Sequence, residues 1–210
     1  MARIVIAACV FLALVPEAAL AGGILGKVQA FYERTTDYKA SFRQVVRTST
    51  PKRTFTRSGT VFFKRPGMMR WDYKSPDEVY YVSDGKDFWS YDVEEGIAYR
   101  LRVQDSDLVQ ALKFLTAPAD LANEFDVTED PPAAAGLVPL RMVPKGAHRN
   151  FRSVTLFVDP ATGETRETEV VDPVGNVSHV RFEGPSFTPL PASGFAFTPP
   201  AGVRVQEIGK

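Results

Sequence analysis

The sequence predicts an α+β fold in which helices lie against one face or the mouth of a curved antiparallel sheet. Two observations lead to this prediction. A long series of short segments carries apolar residues at a period of two, and two regions carry them at the period of a helix. A sheet with so many consecutive strands must curl or close to protect its edges. We therefore expect a curved sheet rather than a flat one.

Two regions of the chain have helical periodicity. Residues 23–34 are predicted to form an amphipathic helix, whose apolar side is made of Ile24, Val28, Phe31 and Tyr32. The second region begins after a possible N-cap at Ser106 or Asp107, and Pro118 ends it. A further short helix at 119–124 could follow.

The rest of the chain predicts strands. The predicted segments are 41–48, 59–64, 68–73, 79–83, 88–92 and 97–103 before the helical region, and 125–128, 137–143, 151–158, 164–171 and 176–183 after it. Turn sequences such as Pro66-Gly67 and Asp84-Gly85 separate neighbouring segments. The tail from 195 to 205 is extended and contains prolines, which suits an edge strand.

The first 21 residues are predicted to be a signal peptide. Arg3 precedes an apolar run at 4–15, and Ala19-Leu20-Ala21 offers a small-x-small cleavage site. The run is shorter than the roughly 20 residues that span a bilayer, which disfavours an N-terminal anchor. We expect cleavage near Ala21, one domain over 22–210 and a water-soluble periplasmic product. Cys9, the only cysteine, would leave with the signal peptide.

The charge pattern excludes one class of partner and leaves another open. Lys and Arg number 25, as do Asp and Glu, so no overall field attracts nucleic acid. Residues 39–70 nevertheless contain basic side chains and no Asp or Glu. This stretch is either a face for an anionic partner or lipid headgroups, or a pair of solvated strands with a Ser/Thr-rich turn at 48–56.

The sequence predicts neither a catalytic site nor a metal or cofactor site. His148 and His179 are far apart and have no neighbouring His or Cys at zinc spacing. Ser-x-x-Lys occurs at 49–52 and at 83–86, but this pattern fixes too few positions to indicate catalysis. We therefore do not expect an enzyme. A lipid-modifying hydrolase whose residues converge across strands remains an alternative.

Several predicted strands carry large apolar residues on both faces. Val61-Phe62-Phe63, Met68-Met69 and Phe88-Trp89 are runs of neighbours, and neighbours in a strand point to opposite faces. Helices packed on one face and ordinary core on the other would explain this pattern. An interior left partly empty for an apolar ligand, with the inserted helices as a lid, would explain it too.

Ordered blocks of this sequence resemble the outer-membrane lipoprotein carrier family LolA. The longest block contains Lys64-Arg65-Pro66-Gly67-Met68-Met69-Arg70-Trp71, then Pro76, then Val82-Ser83-Asp84-Gly85-Lys86, with Trp89 and Tyr91. Ala40 to Gln44 and Phe195 to Val203 resemble the family's motifs near its two ends. The resemblance spans essentially the whole mature chain. It implies a curved, incompletely closed antiparallel β-barrel with helices covering its apolar concavity.

The same resemblance implies a function. Such a protein accepts acylated lipoproteins from an inner-membrane lipoprotein-releasing ABC transporter and delivers them to an outer-membrane lipoprotein receptor. We expect it to act as a monomer without cofactor or nucleic acid. A periplasmic module that senses lipoproteins or lipids instead of carrying them is the main alternative.

The resemblance also assigns roles to individual residues. Arg65 is implied to latch the lid helices closed through hydrogen bonds to their backbone, for which its five donors are suited. The alternative is that Arg65, beside a turn, faces solvent. Met69 stands where other members carry an aromatic residue. The residues implied to line the acyl-chain cavity or its mouth, each of which could equally be core, are Phe63, Met69, Trp71, Tyr73, Trp89, Tyr91, Leu108, Leu112 and Leu115.

Overall fold

The computed structural model describes residues 23–103, 121–146 and 151–208. The helices are α1 (Ile24–Arg34) and α2 (Leu121–Glu124), with 3-10 turns at Ala134–Gly136 and Ala192–Phe195. The strands are β1 (Asp37–Thr48), β2 (Arg53–Lys64), β3 (Met68–Ser75), β4 (Val79–Ser83), β5 (Asp87–Asp92), β6 (Ile97–Arg102), β7 (Phe125–Glu129), β8 (Val138–Pro144), β9 (Ser153–Val158), β10 (Thr165–Val171), β11 (Val177–Ser186) and β12 (Arg204–Glu207). The predicted signal peptide and the region 106–118 lie outside the described residues.

All twelve strands belong to one sheet, in the order β12-β6-β5-β4-β3-β2-β1-β11-β10-β9-β8-β7. Neighbouring strands are antiparallel, except that β12 runs parallel to β6. β12 and β7 stand at opposite ends of this order, so among the described residues the barrel is open. The predicted α+β fold, an incompletely closed antiparallel barrel, is confirmed. No described helix is long and apolar enough to cross a membrane.

Two predicted strand boundaries need correction. β2 begins at Arg53 rather than at residue 59, so the predicted turn at 48–56 shrinks to the few residues after Thr48. Every side chain from Arg53 to Arg57 is exposed, and a strand segment without a buried face gives no apolar alternation. The tail does supply an edge strand, but that strand is confined to Arg204–Glu207.

One face of the sheet, called the inner face below, carries both buried clusters that the described residues form. Strand register identifies the residues that share it: Ala40 lies opposite Val61, and Val61 lies opposite Trp71. The first cluster joins α1 to β7, β8 and β9 and contains Ile24, Leu25, Val28, Leu121, Phe125, Leu140, Met142, Phe151, Val154, Leu156 and Val158. The second cluster lies on β1, β2, β3 and β11 and contains Ala40, Phe42, Val61, Tyr73, Val180 and Phe182.

Helix α1 is fixed to the turn between β9 and β10. Lys27 Nζ donates to the carbonyl oxygen of Pro160 at 2.7 Å, and Arg34 Nη2 donates to that of Thr162 at 2.7 Å. In the same turn Gly163 has a φ of +79°, and a Cβ there would lie 2.2 Å from the carbonyl oxygen of Lys27. Only glycine allows so close an approach of turn and helix. The helix is therefore held firmly over its half of the sheet.

The C-terminal segment covers the outer face of β3, β4 and β5. Phe195 is buried, and Arg70 Nη1 donates to the carbonyl oxygen of Gly194 at 3.1 Å. The Phe197 ring lies 5.4 Å from that of Trp89, and Val82, also on the outer face, is fully buried. The outer face of these strands is thus covered, which accounts for the apolar residues there beside those of the inner face.

Candidate functional site

An aromatic surface lies on the inner face of the strands that carry the second cluster and of the adjoining β4. It consists of Tyr38, Phe42, Phe63, Trp71, Tyr73, Tyr81 and Phe182. Trp71 stands near its centre, with ring centroids 4.8 Å from Phe42 and 6.1 Å from Phe182. Trp71, Phe63 and Tyr81 are only half-buried. A group of rings with part of its area still accessible can exchange contacts with an apolar ligand.

A small cavity borders this surface where α1 meets β1, β2 and β10. Its volume is about 30 Å³, and its lining includes Phe31, Phe63, Arg65, Glu164 and Phe182. Sites for drug-sized ligands have volumes of roughly 300–1,000 Å³. The elements around this cavity would therefore have to separate before an acyl chain could enter.

The polar groups of the cavity wall fall into a paired and an unpaired set. Asp37 is buried and accepts hydrogen bonds from Lys64 Nζ at 2.9 Å and from the Leu190 N–H at 3.0 Å. Lys64 and then Leu190 hold the pKa of Asp37 below its usual value. In the described part of the chain, Tyr38 Oη and Glu164 Oε1 are buried without a hydrogen-bond partner.

Burial changes the proton affinity of two of these groups, Tyr38 and Glu164, and of Tyr73 on the aromatic surface. It raises the pKa of Tyr73 to about 12 and raises that of Tyr38 further. Burial also raises the pKa of Glu164, while Arg166, whose Nε lies 3.4 Å from Glu164 Oε2, acts in the opposite direction. The surface around the rings therefore disfavours charge, as a site for apolar ligands requires.

Comparison with known proteins identifies the family. Residues 33–198 match the family described as "Outer membrane lipoprotein carrier protein LolA". The chain belongs to the LolA family. It is 32% identical to an outer-membrane lipoprotein carrier protein of Dechloromonas aromatica, over 92% of this chain and 91% of that protein. It is 30% identical to one of Bordetella avium, over 97% of this chain and 96% of that protein.

A solved structure supports the fold alone. An uncharacterized conserved protein from Thermus thermophilus superposes with a TM-score of 0.56 at 13% identity, covering 88% of this chain and 97% of that one. The similarity extends over nearly all of both chains, so the open barrel is shared as a whole.

Four of the residues assigned by the resemblance to LolA lie together. Phe63, Met69, Trp71 and Tyr73 are on the inner face, because Phe63 pairs with Met69 and the other two follow at intervals of two along β3. Met69 and Tyr73 are buried, whereas Phe63 and Trp71 are half-buried. Their assignment to the cavity stays a prediction, which this placement supports.

Trp89 and Tyr91 do not join that group, which corrects their assignment. In the register of β4 and β5, Trp89 lies opposite Val82 and Tyr91 opposite Tyr80, all on the outer face. Both rings pack against Phe197, at 5.4 Å and 5.6 Å. The physical reason is the period of two, because the inner positions of β5 belong to Phe88, Ser90 and Asp92.

The lid residues and the latch remain predictions. Leu108, Leu112 and Leu115 lie outside the described residues. Arg65 follows β2 directly, its N–H donates to the Thr36 carbonyl oxygen at 2.8 Å, and its half-buried side chain helps line the cavity. This position supports a role at the cavity, while the hydrogen bonds to the lid backbone and the alternative of a solvent-facing arginine both stay untested.

Sequence reasoning missed four rings of the aromatic surface: Tyr38, Phe42, Tyr81 and Phe182. Period-two alternation in Tyr38-x-Ala40-x-Phe42 would have placed two of them on one face, but that pattern does not show which strands become neighbours. β1 pairs with β11, more than 130 residues later, and only this pairing brings Phe182 opposite Phe42. Among the described residues no group of three or more His, Cys, Asp or Glu is placed to hold a metal ion.

Proposed function

We propose that this protein is a periplasmic carrier that accepts acylated lipoproteins from an inner-membrane releasing complex and delivers them to the outer membrane. The observation that carries the proposal is the aromatic surface, seven rings gathered on the inner face of an open barrel. The protein's family and its similarity to outer-membrane lipoprotein carrier proteins support a lipoprotein cargo, and the route is part of the proposal. Cleavage near Ala21 would release the chain into the periplasm.

The need for such a surface follows from the cost of exposing acyl chains to water. At about 0.8 kcal/mol for each CH₂, a chain of about 16 carbons costs roughly 13 kcal/mol. Loading from a membrane requires an external energy source, which we assign to an ABC transporter as partner. Transfer of the cargo to an outer-membrane receptor with higher affinity would then lower the free energy and need no further energy source.

In this proposal Arg65 holds the empty carrier closed. Closure competes with ligand binding, so it weakens the grip on cargo and favours release. The half-buried position of Arg65 beside the cavity, on the turn after β2, is consistent with this role. No chemical transformation of the cargo is part of the proposal.

A transfer assay tests the route and the latch. The protein is incubated with inner-membrane vesicles that contain a labelled lipoprotein, the releasing transporter and ATP, and then with outer membranes. We expect a soluble one-to-one complex, and we expect Arg65→Leu to form it but to stall delivery. Arg204→Leu, at an exposed position of β12, is the matched control and should deliver normally. Normal delivery by Arg65→Leu would rule out the latch role of Arg65. Failure to form a soluble complex would rule out the carrier function.

The two tryptophans allow a direct test of the aromatic surface. Trp71 and Trp89 are the only ones in the chain and lie on opposite faces. A lipopeptide with brominated acyl chains should quench the fluorescence of Trp89→Phe, which keeps Trp71, by more than half. Quenching of Trp71→Phe, which keeps Trp89 under Phe197, should be small. Equal quenching, or the reverse order, would show that the acyl chains bind elsewhere.

A further inference from the structure

The hairpin of β1 and β2 extends beyond the neighbouring strand. β2 pairs with β3 only from Ser58 to Lys64, whereas it pairs with β1 along its whole length from Arg53. In the described part of the chain, residues 53–57 therefore have a strand partner on one side only. We call residues 47–57 the basic tip.

The basic tip presents an aromatic ring between cations. Arg53, Phe55 and Arg57 alternate along β2, so their side chains share one face of the strand. Phe55 is 46% exposed. Arg47 and Lys52 add two further exposed charges, and none of these four cations forms an ion pair with a carboxylate of the described residues.

A second apolar side chain stands beside the tip. Val174, in the turn between β10 and β11, is 72% exposed. Ser49 ties the two turns together, because its Oγ donates to the Val174 carbonyl oxygen at 2.8 Å and its N–H donates to Asn176 Oδ1 at 2.9 Å. Asp172 in this turn is engaged by the N–H groups of Val174 and Asn176 at 3.0 and 2.8 Å. The tip thus has an excess of positive charge around two exposed apolar side chains, Phe55 and Val174.

We propose that the basic tip docks on the surface of an anionic lipid bilayer, with Phe55 and Val174 entering the interface. Basic residues gain free energy near anionic headgroups, and an aromatic ring adds apolar burial in the interfacial region. The two apolar side chains stand singly on turns and form no groove or flat patch. A fluid interface can accommodate such isolated points, whereas a protein partner would need a complementary shape.

The outer part of this docking surface is distant from the small cavity, although Arg57 at its inner end lies 5.9 Å from the Tyr73 ring of the aromatic surface. Phe55 and Arg65 are ten residues apart on or beside β2, and at about 3.3 Å per residue this places them about 33 Å from each other. A protein held by its basic tip would keep the Arg65 end clear of the bilayer and available to a protein partner. The docking therefore goes beyond the proposed carrier function and does not depend on it.

The test uses the exported, processed protein without cargo. It is sedimented with vesicles of phosphatidylglycerol and phosphatidylethanolamine, and separately with vesicles of phosphatidylcholine, at low and high salt. We expect binding to the anionic vesicles only, weakened by salt. Lys52→Ser combined with Arg53→Ser should lower the partition coefficient about 30-fold, equivalent to about 1 kcal/mol for each charge. Phe55→Ser should lower it about tenfold, in line with the loss of a buried ring.

Matched controls lie on the far edge strand β12. Arg204→Ser removes an exposed cation there, and Val205→Ser removes an apolar side chain that is 46% exposed. Both should bind anionic vesicles as the parent protein does, and urea unfolding of every variant shows that it is folded. Equal binding to phosphatidylcholine, or tip variants that bind like the controls, would overturn the proposal. Because no lipoprotein is present, either result leaves the carrier function to its own assay.

Discussion

The two halves of the inner face are built differently. Beneath α1 the side chains are mainly aliphatic, and Leu140, Met142 and Val158 have no exposed surface. Across the sheet, in the second cluster, the side chains are mainly aromatic, and Phe63 and Trp71 keep part of their surface accessible. The first half is a permanent core, because opening it would leave cavities with no compensating contact. In the second half, contacts between the rings can be replaced by contacts with an apolar ligand.

The first half of the inner face is also held in place by several contacts of α1. α1 is tied to the first half by Lys27, by Arg34 and by the close approach at Gly163, and Ile24 N–H donates to Glu129 Oε1 at 2.6 Å. These contacts involve three separate positions, Ile24, Lys27 and Arg34, along one short helix. Motion that admits a ligand is therefore expected on the aromatic side, where flexible methionine and mobile rings can repack.

Replacing one phenylalanine in each half gives the largest expected effect. Phe125 is buried in the first cluster and stacks on Phe151 at 6.1 Å, so Phe125→Ala should lower the free energy of unfolding by about 4 kcal/mol. Phe63→Ala, at a half-buried position, should cost about half as much because part of the ring is already in contact with water. Urea unfolding measures both values.

Lipopeptide binding separates the two variants further. Phe63→Ala should weaken binding of an acylated peptide, and Phe125→Ala, assayed well below its unfolding midpoint, should bind nearly as the parent does. Titration of peptide against intrinsic fluorescence gives both affinities. The contrast between the halves fails if the two variants lose equal stability, or if binding depends on Phe125 rather than on Phe63.

The fold was largely predictable because its signals are local. Alternation and turns such as Asp84-Gly85 give most strands, and Gly23 to Arg34 gives the helix with one residue of error. The extended part of β2 escaped prediction because none of its side chains from Arg53 to Arg57 is buried. A strand segment that extends beyond the core has no buried apolar face to reveal it.

The candidate site was predictable only along single strands. Spacing in β3 correctly grouped Met69, Trp71 and Tyr73 on one face. The resemblance to LolA, which supplied Trp89 from the next block, wrongly joined it to them, because membership of a motif does not fix the face. The face of β5 depends on register across β4, and Phe182 depends on a pairing between distant segments. Neither property is encoded in a local pattern.

The smallest predicted effect concerns Glu164, which lies at the cavity where the two halves meet. Burial raises the pKa of Glu164, so the folded protein binds its proton more tightly than the unfolded chain does, whose pKa is near 4.5. The associated stability is present below the unfolded value and is lost as pH rises through the folded value. At neutral pH the buried carboxylate is therefore destabilising, despite the attraction of Arg166.

Glu164→Gln keeps the shape of the side chain and removes this proton equilibrium. We expect the variant to gain stability relative to the parent as pH rises above the unfolded value of about 4.5, with little difference at the acid end. Glu183→Gln, at an exposed position of β11, should show no such trend and serves as the control. Urea unfolding at several pH values measures the difference. A difference that does not change with pH would mean that the cavity between the halves hydrates Glu164 in solution, and that this boundary is more open than the two clusters beside it.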